Sequence, residues 1–407
     1  MRNAWLNRGI VAAFVMLLSF SQVGCELPDT LDGYRDIIES ELFVTTEEAS
    51  LPEEEQSETA ESTVLSGKEI IEGNDSFSED GYYYSLLSSE EQTVYQEVVE
   101  AIQNRSSKQV STLSEDILKK TYQAFLNDHP EAFYLQGYTF TKHMVGDKLD
   151  HMSVEGKFGY TAEEIAEKQA QVDAVVDQFL QSVPDDASDY EKSKLVYEYL
   201  VKETTYQQGV SDNQNYLSVF LEHKSVCNGY AKAAQYMFHK MGIPCIVVNG
   251  DAGGDKHAWN MVVLDGSYCE FDATWGDMSY HGEGKENAPE INYSYLNLSS
   301  EMMGKTHAVD GMFPVPKAES DDHSYYQQEG RYFTSYDKEQ LKAVALDSAE
   351  DGVIRIQARD EALYQELYQS LIEDQDIFDY LEYAGLTTDG NLSFVTEDEL
   401  YTLSFWK

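Results

Sequence analysis

The sequence predicts an α+β protein in which a helix that starts at a cysteine is followed by strands joined in a hairpin, and three features carry that expectation. Cys227 stands where a polar loop enters the segment Ser225-Val-Cys-Asn-Gly-Tyr-Ala-Lys-Ala-Ala-Gln-Tyr-Met-Phe-His-Lys-Met-Gly-Ile-Pro244, whose far end carries the helix stop signals Gly242 and Pro244. Three runs of strand character follow at 246–249, 258–264 and 268–274, and Asp265-Gly266 between the last two is a strong hairpin signal. Upstream, Thr161-Ala-Glu-Glu164 and Ser188-Asp-Tyr-Glu191 are capping boxes that open two helices.

The 407 residues suffice for two or three modest domains, and the 29 Tyr among 12% aromatic residues argue for packed structure over most of the length. With 28 basic against 74 acidic residues the formal charge is -46. Such a surface repels phosphate backbones and anionic lipid, which sets nucleic acid aside as a partner. It keeps an extracellular protein in solution; a preference for cationic substrates is the sharper alternative.

The chain opens with Arg2 and Arg8 flanking the start of an apolar run from Gly9 to Phe20. That run is short for a bilayer span and matches a secretory signal. It leads to Ser21-Gln22-Val23-Gly24-Cys25, and a small residue directly before a cysteine resembles the lipobox of bacterial lipoproteins. Gln22 departs from the Leu usual at that place. Residues 1–25 are therefore expected to be a signal peptide with Cys25 as the lipidation site, the alternatives being plain secretion or an uncleaved anchor. Residues 26–81, rich in Glu, Ser, Thr and Asp, bury too little apolar surface to offset their ordering entropy, and read as an acidic disordered tether.

Over 82–185 a mainly helical region is expected. Helices are predicted at 86–102, with Glu90 and Glu91 in the first turn, and at 113–126, stopped by Asp128-His129-Pro130. Runs 133–140 and 152–158 have strand character. From the Thr161 box a long helix runs to Pro184, with Ile165, Val172, Val175, Val176, Phe179 and Leu180 as its apolar stripe. The Ser188 box opens a helix to about residue 206. Residues 186–320 form the central domain, and 321–407 a small separate α+β module with strands at 353–357, 392–395 and 400–405 and a helix at 361–372.

Chemistry concentrates in the central domain. A thiol at a helix N-terminus feels the positive end of the macrodipole and free N–H groups, and both favour thiolate. The same N–H groups suit a developing oxyanion. If Asp265-Gly266 is a two-residue loop, Leu264 faces Ser267 and His257 lies opposite Thr274. Asp272 is then the diagonal neighbour of His257 on the same face, within reach of its imidazole. Cys227, His257 and Asp272 so placed are a nucleophile, a base and an orienter.

Val226-Cys227-Asn-Gly-Tyr-Ala231, His257-Ala-Trp-Asn260 and Phe271-Asp272-Ala-Thr-Trp275 resemble, in order and spacing, the three signature motifs of the transglutaminase-like superfamily. The resemblance covers about 186–280. It implies a papain-like core, with the cysteine helix packed on an antiparallel sheet, and membership of a group that holds cross-linking enzymes, cysteine peptidases, amidases and members without catalysis. It also implies a polar side chain upstream of the cysteine that completes the oxyanion site, for which Tyr216 and Gln214 are both candidates. Asp128-His-Pro-Glu-Ala-Phe133 and the run around His307, Pro314 and Pro316 resemble flanks of such domains in Gram-positive surface lipoproteins.

The remaining candidates carry two readings each. Trp259, Trp275 and Tyr230 wall a substrate cleft or pack in the core, and Asn260 orients the site or satisfies backbone groups. Cys245 and Cys269, on strands flanking the His257 strand, are too far apart for a disulfide and read as small buried hydrophobes. The other histidines (129, 143, 151, 223, 239, 281, 307, 323) show no metal-ligand spacing, and no paired CxxC suggests zinc. Tyr82-Tyr-Tyr84 and Tyr325-Tyr326 read as sugar-binding rings or, by default, as packed or solvated ones, and Glu397, Asp398 and Glu399 as a solvated face. No metal or cofactor is implied.

Together these point to cysteine-dependent acyl transfer on amide bonds of peptides or proteins at the cell surface, by hydrolysis or by cross-linking. The membrane is met through a lipid anchor alone, at the outer face of the cytoplasmic membrane. The rival from another class is a non-catalytic binding or wall-organising module. An acyl-CoA-dependent N-acetyltransferase shares the triad order, but an exported location without acyl-CoA argues against it.

Overall fold

The computed structural model describes residues 44–45, 81–145, 148–277, 289–386 and 392–406. The expected signal sequence, Cys25, nearly all of the acidic tether and His281 lie outside them. Among the described residues no helix is long and apolar enough to cross a membrane. The described residues divide into two compact units, one up to Ala166 and one from Glu167.

In the first unit, helices Tyr82–Ser85, Ser89–Gln103 and Glu115–Asp128 accompany a four-stranded sheet. Ser88 and Glu91 form a capping box that fixes the start of the second helix three residues later than the apolar pattern suggested. Ser114 caps the third, which ends at His129-Pro130 as expected. The strand runs at 133–140 and 152–158 are the cores of a long hairpin, Leu135–Val145 with Lys148–Phe158, edged by Lys108–Val110. Val44–Thr45 pairs in parallel with Thr139 and Phe140. Asp128 accepts the N–H groups of Tyr83 (2.8 Å) and Tyr84 (2.9 Å), pinning the first helix.

Both predicted capping boxes are present, Thr161 with Glu164 and Ser188 with Glu191. They open helices Ala162–Leu180, most of which belongs to the second unit, and Asp189–Glu203. The central helix of that unit, Cys227–Lys240, begins at Cys227 itself. It packs on a five-stranded antiparallel sheet in the order Leu296–Leu298, Ser267–Phe271, Asp255–Leu264, Cys245–Ala252, His307–Val309. Ala231, Val247 and Ala258 form a small-residue contact between helix and sheet with Cys227 against it. Small side chains there let the helix approach the strands closely enough to bring Cys227 over them.

The hairpin turn is the expected two-residue loop: Asp265 (φ 49°) and Gly266 (φ 80°) both have positive φ, and Leu264 pairs with Ser267. One expectation fails in detail. The third strand stops at Phe271, opposite Asn260, so Thr274 never pairs with His257. Asp272 instead accepts the N–H groups of Thr274 (2.8 Å) and Trp275 (3.1 Å), and as N-cap it turns the chain into the short helix Ala273–Gly276. Cys245 and Cys269 both flank Val262 across adjacent strands, two strand spacings or roughly 9.6 Å apart. Both are buried and free, as expected of small hydrophobes.

The C-terminal segment forms a sheet of Tyr332–Phe333, Val353–Ala358, Thr402–Trp406 and Ser393–Glu397. Helices Lys338–Asp347, Glu361–Tyr368 and Ile377–Tyr383 cover one face with Ile354, Ile356, Leu367, Leu403 and Phe405 in the core between. Its other face is polar yet buried: Arg355 lies over the Tyr293 ring, and Thr402 meets Ser294. Glu397 accepts from Asn292 (2.8 Å) and Thr402 (3.0 Å) and is only 7% exposed, so it is not part of a solvated face. Sequence alternation marks that face polar; only the tertiary contact shows it covered. Tyr325 and Tyr326 are likewise packed, Tyr325 stacking on Tyr293 at 4.1 Å between centroids.

Candidate active site

Cys227 is the first residue of its helix, and no side chain caps that end. Gly229, one turn in, is a position of forced closeness: a Cβ there would fall 1.8 Å from Ser225 Oγ and 3.0 Å from the carbonyl oxygens of Asn213 and Asn215. Its absence lets the 213–215 loop lie directly against the helix start. Gln214 is exposed on that loop, and its Oε1 accepts from Asn228 Nδ2 (2.9 Å), the residue after the cysteine. Cys227 is half-buried, the most accessible of the described cysteines.

His257, on the central strand, is buried with its Nε2 2.6 Å from Asp272 Oδ2. Burial alone would favour a neutral imidazole, but the carboxylate at contact distance and Cys227 beside the ring outweigh it and raise the pKa from 6.5 to about 10. Asp272 is also fully buried, which favours its neutral form. Hydrogen bonds and charge from His257 and then His307 reverse this and hold its carboxyl well below the usual range. The geometry thus pairs a buried carboxyl group with an imidazole next to Cys227, with Nε2 of His257 committed to Asp272. Nδ1 is left as the nitrogen for proton exchange with sulfur.

His307 is the member sequence reasoning missed. It lies 35 residues beyond Asp272 on the edge strand, and its Nε2 stands 3.0 Å from the same Oδ2 that His257 uses. The sequence marks it only as part of a flank-like run with Pro314 and Pro316, because its partner Asp272 is reached through strand pairing. Burial, with some repulsion from His257, lowers its pKa despite Asp272. His257, Asp272 and His307 are also the one cluster among the described residues with ligating atoms within 4.8 Å of one another. A tetrahedral zinc with bonds near 2.1 Å would hold its N and O ligands roughly 3.4 Å apart. Separations of 2.6 and 3.0 Å are hydrogen-bond distances.

The other predicted site residues fall into two groups. Gln214 is bonded to the side chain of Asn228, the residue after the nucleophile. Tyr216 does not present its hydroxyl there: it is buried, bonded to Gln169 Oε1 (2.7 Å) and packed on Tyr236. Trp259 is buried with its Nε1 donating to Glu270 (2.8 Å), and its ring stacks near His257 at 6.0 Å, so it holds the imidazole from behind and walls no open cleft. Trp275 packs on His307 (4.9 Å) and Tyr295 (5.1 Å). Tyr230 is a core residue bonded to Asp277 and the Thr204 carbonyl. Asn260 Nδ2 donates to the carbonyls of Ala231 (2.9 Å) and Ile246 (3.2 Å), tying the cysteine helix to the sheet.

An α+β core with a cysteine helix on an antiparallel sheet that carries His and Asp is the architecture of the transglutaminase-like superfamily. Residues 174–273 match the family model described as transglutaminase-like superfamily, and this part of the chain is a domain of that superfamily. Among solved structures the chain is similar to a TGase at 16% identity and TM-score 0.26, covering 38% of this chain and 53% of that one. It is also similar to a proposed cysteine protease from Cytophaga hutchinsonii (14%, TM-score 0.24, covering 33% and 61%). A third is the periplasmic domain of TgpA from Pseudomonas aeruginosa, solved with ethylmercury (15%, TM-score 0.21, covering 31% and 55%). The chain thus covers less than two thirds of each of these proteins. No curated protein matches it.

Proposed function

We propose that this protein is an exported cysteine-dependent acyl-transfer enzyme that acts on amide bonds of peptides or proteins at the cell surface. The observation that carries the reading is that buried His257 lies between half-buried Cys227 and buried Asp272. With the Cys227 proton already held on His257 Nδ1, Sγ attacks the substrate carbonyl carbon. The helix N-terminus, supplemented by the Gln214 amide, faces the resulting oxyanion. Collapse breaks the C–N bond, the amine leaves with the proton from His257, and a thioester remains. Water activated by His257 then releases a carboxylic acid and regenerates the thiol; an amine in place of water yields a new amide. We favour hydrolysis, and the cleavage products of a peptide library with and without a lysine-like amine donor decide between the two.

Cys25 as lipid anchor, with 26–81 as tether, completes the proposal: the catalytic domain works at the outer face of the membrane. Its check is metabolic labelling with a radiolabelled fatty acid, which Cys25→Ala abolishes if the anchor is real. The catalytic reading is tested by iodoacetamide labelling of Cys227 across pH, read by mass spectrometry. Labelling near pH 6 faster than a free thiol and slowed by His257→Ala supports an activated pair. Labelling no faster than a free thiol and indifferent to that substitution removes the enzyme reading and leaves a binding module.

A further inference from the structure

Asp272 serves two imidazoles, and the acyl-transfer reading uses only one. His307 Nε2 sits 3.0 Å from Oδ2, and its Nδ1 2.8 Å from Thr306 Oγ1. The ionised Asp272 oxygen can only accept, so the ring proton at Nε2 donates to it, and Nδ1 faces Thr306 Oγ1, whose hydroxyl also lies 3.3 Å from the Met303 carbonyl oxygen. Tyr295 in turn is hydrogen-bonded to Thr306. The His307 side chain is 1% exposed, closed in by the rings of Trp259 (5.0 Å) and Trp275 (4.9 Å). The strand that carries it, His307–Val309, reaches the sheet only because Gly250 has no side chain; a Cβ there would fall 2.1 Å from the Ala308 carbonyl oxygen. A ring needed only to fill space would be cheaper as an apolar one, since a buried imidazole must have its polar atoms satisfied.

We propose that His307 is a positioning residue of the site: its Nε2–H fixes the Asp272 carboxylate and takes a share of the negative charge that His257 would otherwise hold alone. The inference rests on the reading of His257 as the catalytic base. Oδ1 is held by the Thr274 and Trp275 N–H groups, and Oδ2 by the two imidazoles. An Asp272 that loses one donor becomes a stronger partner for the remaining one. His257 then grips its proton harder and gives it up to the leaving amine less readily. The titratable groups facing His307 are Asp272, His257 and Tyr295, with Cys227 beyond His257 and Glu397 acting on Tyr295.

The test uses the full chain with His307→Phe, which removes the donor, and His307→Gln, which keeps an N–H. Iodoacetamide labelling of Cys227 from pH 5 to 10 has an alkaline inflection that reports loss of the His257 proton. In His307→Phe this inflection moves up by about one pH unit, the order of one lost hydrogen bond to a charged group, and His307→Gln brings it back. A His307→Phe profile that overlays wild type in a folded protein overturns the proposal, because a purely structural role lowers the melting temperature without moving the inflection. Should His307→Phe not fold, 15N NMR of the wild-type histidines decides. His307 neutral with its proton on Nε2 throughout pH 5–9 supports the proposal, and titration near 6.5 or a proton on Nδ1 overturns it. Indifference of labelling to His257→Ala would remove the base assignment instead, and the NMR readout of His307 would stand separately from it.

Discussion

Replacing Asp272 by Asn tests the site without changing its shape. The Asn carbonyl keeps the cap on Thr274 and Trp275, so the turn that presents the side chain survives. Its NH2 takes the place of Oδ2 and faces the Nε2 atoms of His257 and His307, which donated to that oxygen. Each imidazole must shift its proton to Nδ1 to accept from the amide. His257 then carries a proton on the nitrogen that faces Cys227 and is no longer a base. In a serine triad the same change costs roughly ten-thousand-fold in turnover, and a loss of that order is expected here for amide cleavage. For stability, two charge-assisted hydrogen bonds become two neutral ones, a loss of about 1 kcal/mol each. Relief of a buried charge offsets part of this, so the net cost is at most about 2 kcal/mol, or about 4–8 °C in melting temperature for a unit of this size. Circular dichroism melts give the second quantity, and labelling of Cys227 at pH 6 the first in the absence of a known substrate. An Asp272→Asn protein that is folded and labels at the wild-type rate at pH 6 would refute the assignment of His257 as a base oriented by Asp272.

Further expectations follow from the same geometry. His257 has a raised pKa, so its pairing contributes fully below 6.5 and is lost as pH rises towards 10; Asp272, lowered, contributes above 3.8 and loses this as pH falls. The difference in melting temperature between wild type and His257→Ala should therefore peak between about pH 4 and 6.5 and shrink on the alkaline side, and a difference that grows from pH 7 to 10 contradicts the pairing. Gly250→Ala should cost about 1–3 kcal/mol by forcing the His307 strand off the sheet, measured by denaturant titration, with slowed Cys227 labelling as a second readout. Glu270 is buried with Trp259 and Ser300 as its hydrogen-bond donors, and burial raises its pKa; its contribution is present at low pH and lost as pH rises through the folded value. Glu270→Gln should then melt at or above wild type at pH 8, with the advantage gone at pH 4. Glu270→Leu, which orphans two donors, should lose about 1–3 kcal/mol for each.

Much of this protein is legible in its sequence because the deciding interactions are local. Capping boxes at Ser188 and Thr161 close within three residues, so helix starts can be read directly. The Asp265-Gly266 turn fixes the strand register at Leu264 and Ser267, and with it the face on which His257 stands. Even so, the same reasoning carried the strand three residues too far. An Asp at a strand end can either stay in the pleat or bend back to cap its own N–H groups, and the second outcome depends on two imidazoles waiting for its other oxygen.

What the sequence alone determined is the local grammar: the cysteine at a helix start, the hairpin bearing His257, and the motif set that marks the transglutaminase-like domain. Tertiary structure decided the partners. It buried Trp259 and Tyr230 rather than lining a cleft with them, turned Tyr216 towards Gln169, bonded Gln214 to Asn228, and covered Glu397. It also brought His307 to Asp272 across a 35-residue gap by pairing an edge strand at a glycine. The physical reason is that a hydrogen bond between distant residues is set by how elements pack, and packing depends on side-chain volumes summed over several strands and helices, which no short window of sequence contains.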